Sequence, residues 1–214
     1  MKKCLSPYLR LALGFTLVEL LVTVSIAAIL IAVGVPSFTS IVAASNTDSA
    51  TRRLSTAFSY ARSDAVSRAG SVTVCASADA LNCGNAAAWS QGWLVFRDEN
   101  EDGTIDADDE IISVENISSL QVAIGQLDNN NNALGVSTVC FNSLGNECDA
   151  NVDFVIFTAT SIANGNSSAI ALRSSGVVSL CEVEPNEENV LDENGDIVQD
   201  ENGDAQIAVK ARCT

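Results

Sequence analysis

The chain has 214 residues, a formal charge of −16 at pH 7 and no histidine. That surplus of acid argues against bare nucleic acid as a partner, because phosphate binding needs clustered cations. The lack of histidine removes Ser-His-Asp and Cys-His nucleophile pairs and histidine-based zinc sites, and the length allows one domain beside a hydrophobic segment.

The first 14 residues hold Lys2, Lys3 and Arg10 and no acid. A basic start has the form of a targeting leader, but the candidate small residue, Gly14, precedes the long apolar run instead of following it. That run, Gly14 to Pro36, reads GFTLVELLVTVSIAAILIAVGVP. It is long enough to span a bilayer, which takes roughly 20 apolar residues. Its one charge is Glu19. A carboxylate there costs on the order of 2–3 kcal/mol unless it finds a partner. A cut after Gly14 leaves the apolar segment intact, with Phe15 as the new amino terminus. Basic residues stay on the cytoplasmic side, which puts everything beyond the run outside the cytoplasm.

Pro36 lacks a backbone donor and is expected to kink the helix. Helical spacing resumes at Phe38, Ile41 and Val42 and continues through Ala50, Leu54, Ala57, Phe58, Ala61 and Ala65, an amphipathic stripe. Ala69-Gly70 is the expected end, with glycine taking the left-handed terminal conformation. Arg52, Arg53, Arg62 and Arg68 lie on this outer half. They either pair with the acidic remainder of the same or a neighbouring chain or form a solvated face.

After Gly70 the period becomes two. Val72 and Val74, Trp93 and Val95, Val122 and Ile124, Val139 and Phe141, Val155 and Phe157, Ile170 and Leu172, then Val177, Ile207 and Val209 mark short strands. One long helix followed by antiparallel strands is an α+β arrangement. Its parts are a leader at 1–14, a transmembrane helix at 15–36, an amphipathic helix at 37–70 and a β-rich head at 71–214. Cys4 precedes the apolar run, and Cys75, Cys83, Cys140, Cys148, Cys181 and Cys213 follow it. Six cysteines in an oxidising compartment read as a disulfide set with fifteen connectivities. Local pairing is favoured (Cys75–Cys83, Cys140–Cys148, Cys181–Cys213), the first two pairs sharing one spacing.

Two acidic blocks remain. Asp98 to Asp109 reads DENEDGTIDADD. On the calcium-loop pattern its ligand positions fall on Asp98, Asn100, Asp102, Thr104 through its carbonyl, Asp106 and Asp109, with Gly103 at the glycine place. The alternative is a solvated hairpin loop without metal, and no cofactor is otherwise required. The second block repeats Asp192-Glu193-Asn194-Gly195-Asp196 as Asp200-Glu201-Asn202-Gly203-Asp204 and reads as an exposed insertion between Cys181 and Cys213.

Gly14-Phe15-Thr16-Leu17-Val18-Glu19 resembles the prepilin processing motif of type IV pilins and type II secretion pseudopilins. The resemblance implies that a prepilin peptidase cuts between Gly14 and Phe15 and N-methylates Phe15. It also implies that Glu19 pairs with the Phe15 amine of a neighbouring subunit during assembly, which makes a buried carboxylate tolerable. Further on, Leu54 to Cys83, LSTAFSYARSDAVSRAGSVTVCASADALNC, followed by Trp89 and by Gln91-Gly92-Trp93-Leu94-Val95-Phe96, is similar to the GspH/FimT family of minor pilins and pseudopilins. The implied fold is type IV pilin-like, a long N-terminal helix packed on antiparallel sheets. The implied role is structural and not enzymatic: a single-pass inner-membrane precursor with a periplasmic head, then a subunit that joins or primes a type IV pilus. Its implied partners are other pilins or pseudopilins, through the helix. A pseudopilin of type II secretion and a calcium-dependent adhesive module at a fibre tip are the alternatives. Some FimT-like members bind DNA through a Gly-Arg-x-Arg element. The matching place here, Gly176-Val177-Val178-Ser179, lacks both arginines, which again argues against nucleic acid.

Overall fold

The computed structural model of the chain describes residues 16–128, 130, 132–148, 154–162, 165–184 and 210–213, with the backbone alone at 33–37, 182, 184 and 210–212. The leader, the Gly14-Phe15 step, Ile207, Val209 and the acidic repeat at 192–204 lie outside the described residues. The chain divides into two compact units, Met1–Thr39 and Ser40–Thr214.

In the first unit, helix α1 (Leu17–Arg68) begins and runs unbroken through Gly34 and Pro36. Leu17, Val18 and Ile29 are exposed. The polar residues of this stretch satisfy themselves: Thr23 and Ser25 donate to the carbonyls of Leu20 and Leu21, the back-bonding that lets hydroxyls sit in an apolar helix. Among the described residues no helix is long and apolar enough to cross a membrane. The apolar sequence continues into residues 33–37, whose side chains are not among those described.

The second unit carries the rest of α1 and two antiparallel sheets. One sheet contains β1 (Val72–Ala76), β2 (Gly92–Arg97), β3 (Glu110–Asn116) and β5 (Thr138–Phe141), in the order β3-β2-β1-β5. The other contains β4 (Val122–Leu127), β6 (Phe154–Ser161), β7 (Ser167–Arg173), β8 (Val178–Glu184) and β9 (Lys210–Cys213), in the order β4-β6-β7-β8-β9. A 3-10 turn, Ala86–Ser90, is capped by the Asn85 side chain accepting from the Ala87 amide. The Ser90 hydroxyl then accepts from the Ile124 amide and ties this turn to the edge strand β4.

The period-3.6 stripe and the period-2 strands meet in one core. Ala50, Leu54, Phe58, Ala61 and Ala65 of α1 pack against Val72, Val74 and Phe141 of the first sheet and Val155, Phe157, Ile170 and Leu172 of the second. The lower stripe does not share in it: Phe38, Ile41 and Val42 are exposed. Trp89 is fully buried yet keeps its indole donor satisfied by the Val136 carbonyl, as a buried indole requires.

The helix end differs from the sequence expectation. Ala69, not Gly70, takes the left-handed conformation, at φ 54°. The Gly70 amide then donates to the Ala65 carbonyl, the six-to-one bond of a Schellman end. An L-residue is strained in that conformation by roughly 1–2 kcal/mol. Ala69→Gly is therefore expected to raise the unfolding free energy by about 1 kcal/mol, read as a higher denaturant midpoint with an unchanged slope.

Two strand assignments also change. Val177 sits in the turn before β8, bonded by its carbonyl to the Arg173 amide. Glu110–Asn116, which lacks a clean alternation in sequence, forms the outer strand β3 and pairs with β2 across a register shift at Val95/Phe96.

Candidate functional site

The N-terminal feature is built on a helix start. Thr16 is its cap: its carbonyl accepts from the Leu20 amide at 3.1 Å and its hydroxyl from the Glu19 amide at 3.1 Å. Glu19 therefore occupies the third helical position of a Thr-x-x-Glu sequence, the capping-box pattern. The Thr-x-x-Glu spacing alone displays this signal. An acid in the first turn also complements the helix dipole. Gly14 and Phe15 lie outside the described residues, so the geometry of the processing step is not part of the structure.

Three disulfides staple the head: Cys75–Cys83, Cys140–Cys148 and Cys181–Cys213. The first closes a loop organised by Asp79, whose carboxylate accepts from the Asn82 side chain and from the Leu81 and Asn82 amides. The second closes the turn after β5, where the Cys148 amide also donates to the Cys140 carbonyl. The third links paired positions of β8 and β9 at the base of the segment 185–209.

The acidic loop between β2 and β3 is anchored from inside. Asp98 is buried, and its carboxylate accepts from the Thr73 hydroxyl at 2.8 Å and the Gly103 amide at 3.0 Å. Gly103 has φ 74°, which allows this sharp return. The Asn100 side chain donates to both Asp102 and Asp106 at 3.0 Å, and Asp109 accepts from the Glu99 and Asp106 amides. Thr104 contributes its hydroxyl and amide to Asp102. The loop thus draws all six candidate ligand residues into one hydrogen-bonded turn. Among the described residues, no group of three or more Cys, Asp or Glu side chains is placed to hold a metal ion.

The helix arginines divide. Arg52 pairs with Asp48 and Arg68 with Asp64 within the helix. Arg53 reaches Glu115 of β3 at 2.5 Å. Arg62 donates to the Gly145 and Ser175 carbonyls, fastening two turns of different sheets. Arg97 of β2 bridges Asp64 and Glu110.

Several acids are held ionised. Desolvation by itself would raise the Asp64 carboxyl, but the bonds from Arg97 and Arg68 outweigh it and keep the group below its ordinary value. Asp79 is lowered strongly by the Asn82 side chain and the amides beside it. Asp102 is lowered by Thr104 and Asp128 by Asn132. Groups with depressed folded values stabilise the fold above the unfolded carboxylate range, near pH 4. That contribution disappears as pH falls through the folded values. The melting temperature at pH 3 is expected to lie below that at pH 7, and Asp64→Asn to flatten part of the difference, as measured by circular dichroism at fixed salt.

A long helix with an acid in its first turn, packed on two disulfide-stapled antiparallel sheets and preceded in the sequence by a glycine-phenylalanine step, is the arrangement of a pilin-type subunit. The sequence profile of the prokaryotic N-terminal methylation motif matches residues 9–35. The profile of type II transport protein GspH matches residues 50–176, and the chain belongs to this family of minor pilins and pseudopilins. Membership implies assembly with other pilins and processing by a prepilin peptidase. Two crystal structures of the type IV minor pilin FimU of Pseudomonas aeruginosa are similar. One, in space group P21, has 17% identity over 63% of this chain and 87% of that one, with a TM-score of 0.42. The other, in space group P65, has 17% identity over 62% and 90%, with a TM-score of 0.41. No curated protein sequence matches the chain.

Proposed function

We propose that the chain is a minor pilin, made as a single-pass inner-membrane precursor with its head in the periplasm. A prepilin peptidase cuts it after Gly14 and methylates the Phe15 amine. The apolar run 15–36 anchors it until the helix enters a type IV pilus, where the subunit joins or primes assembly. Its work is structural and not catalytic. One observation carries this reading: the methylation motif at 9–35 and the GspH profile at 50–176 fall on the same chain in the expected order. Intact-mass analysis of protein extracted from membranes tests it. The expected mass starts at Phe15, adds one methyl group and lacks six thiol hydrogens. Any other N-terminus removes the reading.

A pseudopilin of type II secretion is the second reading, favoured by the type II transport description of the matching family. Deletion of the gene separates the two. Lost surface fibres with intact protein export supports the pilus, and the reverse supports secretion.

Calcium capture by Asp98–Asp109 is a third reading. It is favoured by the convergence of Asp98, Asn100, Asp102 and Asp106 on one turn around Gly103. A rise in melting temperature with millimolar calcium, absent in Asp102→Asn, is expected on this reading. No shift removes it.

A further inference from the structure

Charge is spread unevenly along this chain. Its formal charge is −16, yet no Asp, Glu, Lys or Arg occurs in residues 20–47, 116–127 or 154–172. The first stretch holds most of the apolar run and the part of α1 that follows it. The second supplies the 3-10 turn Ser118–Leu120 and β4, and the third supplies β6, most of β7 and the turn between them.

Hydrogen bonds bring the three uncharged stretches together where the second unit begins. The Asn46 side chain donates to the Leu120 carbonyl at 3.1 Å, which ties the 3-10 turn to α1. The next residue, Gln121, takes the left-handed conformation at φ 53°, and its carbonyl accepts from the Ile162 amide at 3.2 Å. Within the β6–β7 turn the Ser161 amide donates to the Asn166 carbonyl at 2.8 Å. The Asn166 side chain in turn reaches the carbonyl of Ser40, the first residue of this unit, at 3.5 Å. The backbone of Ile162 is thus held, while its side chain is 73% exposed. Ile41 and Val42, next to Ser40 in the chain, are exposed as well. An acidic head therefore has one uncharged end, and that end displays an isoleucine.

Chain length decides what lies near it. Ser40 follows Pro36 by four residues, so it cannot stand more than about 14 Å from the end of the apolar run. A membrane that takes up the run is kept within reach of this end of the head. Tethering of that kind acts as a high effective concentration, so an apolar contact too small to recruit a free protein is enough. A surface with anionic lipids repels carboxylates but does not repel a charge-free end. An exposed apolar side chain gains by leaving water for the boundary between headgroups and acyl chains.

We propose that the uncharged end of the head rests on the bilayer surface while the subunit is anchored, with the Ile162 side chain entering the interfacial zone. This rests on the reading of 15–36 as a membrane anchor. It adds a lipid contact made by the head itself, which gives the head one orientation on the membrane before assembly.

The test is photo-cross-linking of the full chain, Ile162→p-benzoylphenylalanine, in vesicles of phosphatidylethanolamine and phosphatidylglycerol. Leu144→p-benzoylphenylalanine is the comparison. Leu144 is 77% exposed, and the carbonyl of its neighbour Gly145 is bonded to Arg62, about 33 Å from Ser40 along α1. After irradiation, the peptide containing position 162 is expected to carry the mass of a phospholipid, in at least tenfold greater yield than the peptide containing position 144. Unchanged circular dichroism spectra check that both variants fold. Equal yields at the two positions, no lipid adduct at 162, or attachment there to a second protein chain instead of lipid overturns the proposal. Flotation of the vesicles separates this outcome from the anchor reading. A chain that floats without the adduct keeps the anchor and loses the head contact, and a chain that does not float loses both.

Discussion

Replacing Phe58 with alanine is expected to cost about 3–5 kcal/mol, the range for removing a fully buried phenylalanine. Phe58 lies at the point where the helix and both sheets converge. It has no exposed surface, and its ring centroid is 5.1 Å from Phe157, 6.2 Å from Phe141 and 6.2 Å from Trp89. Phe141 comes from one sheet and Phe157 from the other, so the vacated volume opens against all three layers at once. Little can relax to fill it, because Trp89 is already pinned by its bond to Val136. A domain of ordinary stability has roughly 5–15 kcal/mol to lose. Thermal unfolding of the full chain in detergent, followed by tryptophan fluorescence with the disulfides intact, should show a drop of about 10 °C or more. A loss under 1 kcal/mol would mean that the helix is not packed against both sheets at Phe58.

The part of the fold that could be read from residues is the part governed by period. Ala50, Leu54, Phe58, Ala61 and Ala65 repeat at helical spacing because one face is buried, and the structure buries that face. Val155 and Phe157, or Ile170 and Leu172, fall at every second position because they share the core side of the central strands β6 and β7, although Ile156 and Ala171 between them are buried too. Glu110–Asn116 lacked such a signal because it is an edge strand with no fully buried residue. Its place depends on pairing with β2, a partner 13 or more residues away in sequence, which composition does not encode. The left-handed Ala69 escaped for a different reason. A glycine stood next to it, and local preference pointed to that glycine, whereas the hydrogen bond to Ala65 fixes Ala69 as the residue that must turn.

The candidate site divides in the same way. Gly14, Phe15 and Glu19 lie within six consecutive residues, so their pattern shows in the sequence without any folded structure. The Arg62 corner was not, because its members are brought together from α1, the turn after β5 and the turn before β8. Sequence placed four arginines on one helix but could not sort them. Two close on acids one turn away in the helix, one crosses to β3, and one spends its donors on backbone carbonyls.

The second large effect concerns Glu19, where two physical roles make different predictions. As the third residue of a capping box it would serve the helix start, and glutamine serves that role about as well as glutamate. As the partner of a neighbouring Phe15 amine it must carry charge. Removing one member of a buried ion pair costs roughly 3–5 kcal/mol, which is more than a hundredfold in an assembly equilibrium. We expect both Glu19→Ala and Glu19→Gln to remove the subunit from the sheared-fibre fraction while leaving it in the membrane fraction, as measured by immunoblot. Thr16→Ala deletes the cap hydroxyl that accepts from the Glu19 amide, at a cost of about 1 kcal/mol, and should still assemble. If Glu19→Gln assembles like the unaltered chain, the carboxylate acts through the helix start alone and the charge-pairing role is wrong. If Thr16→Ala fails as completely as Glu19→Ala, the cap is the limiting element instead. Only loss in both Glu19 variants, with Thr16→Ala retained, assigns the effect to the charge.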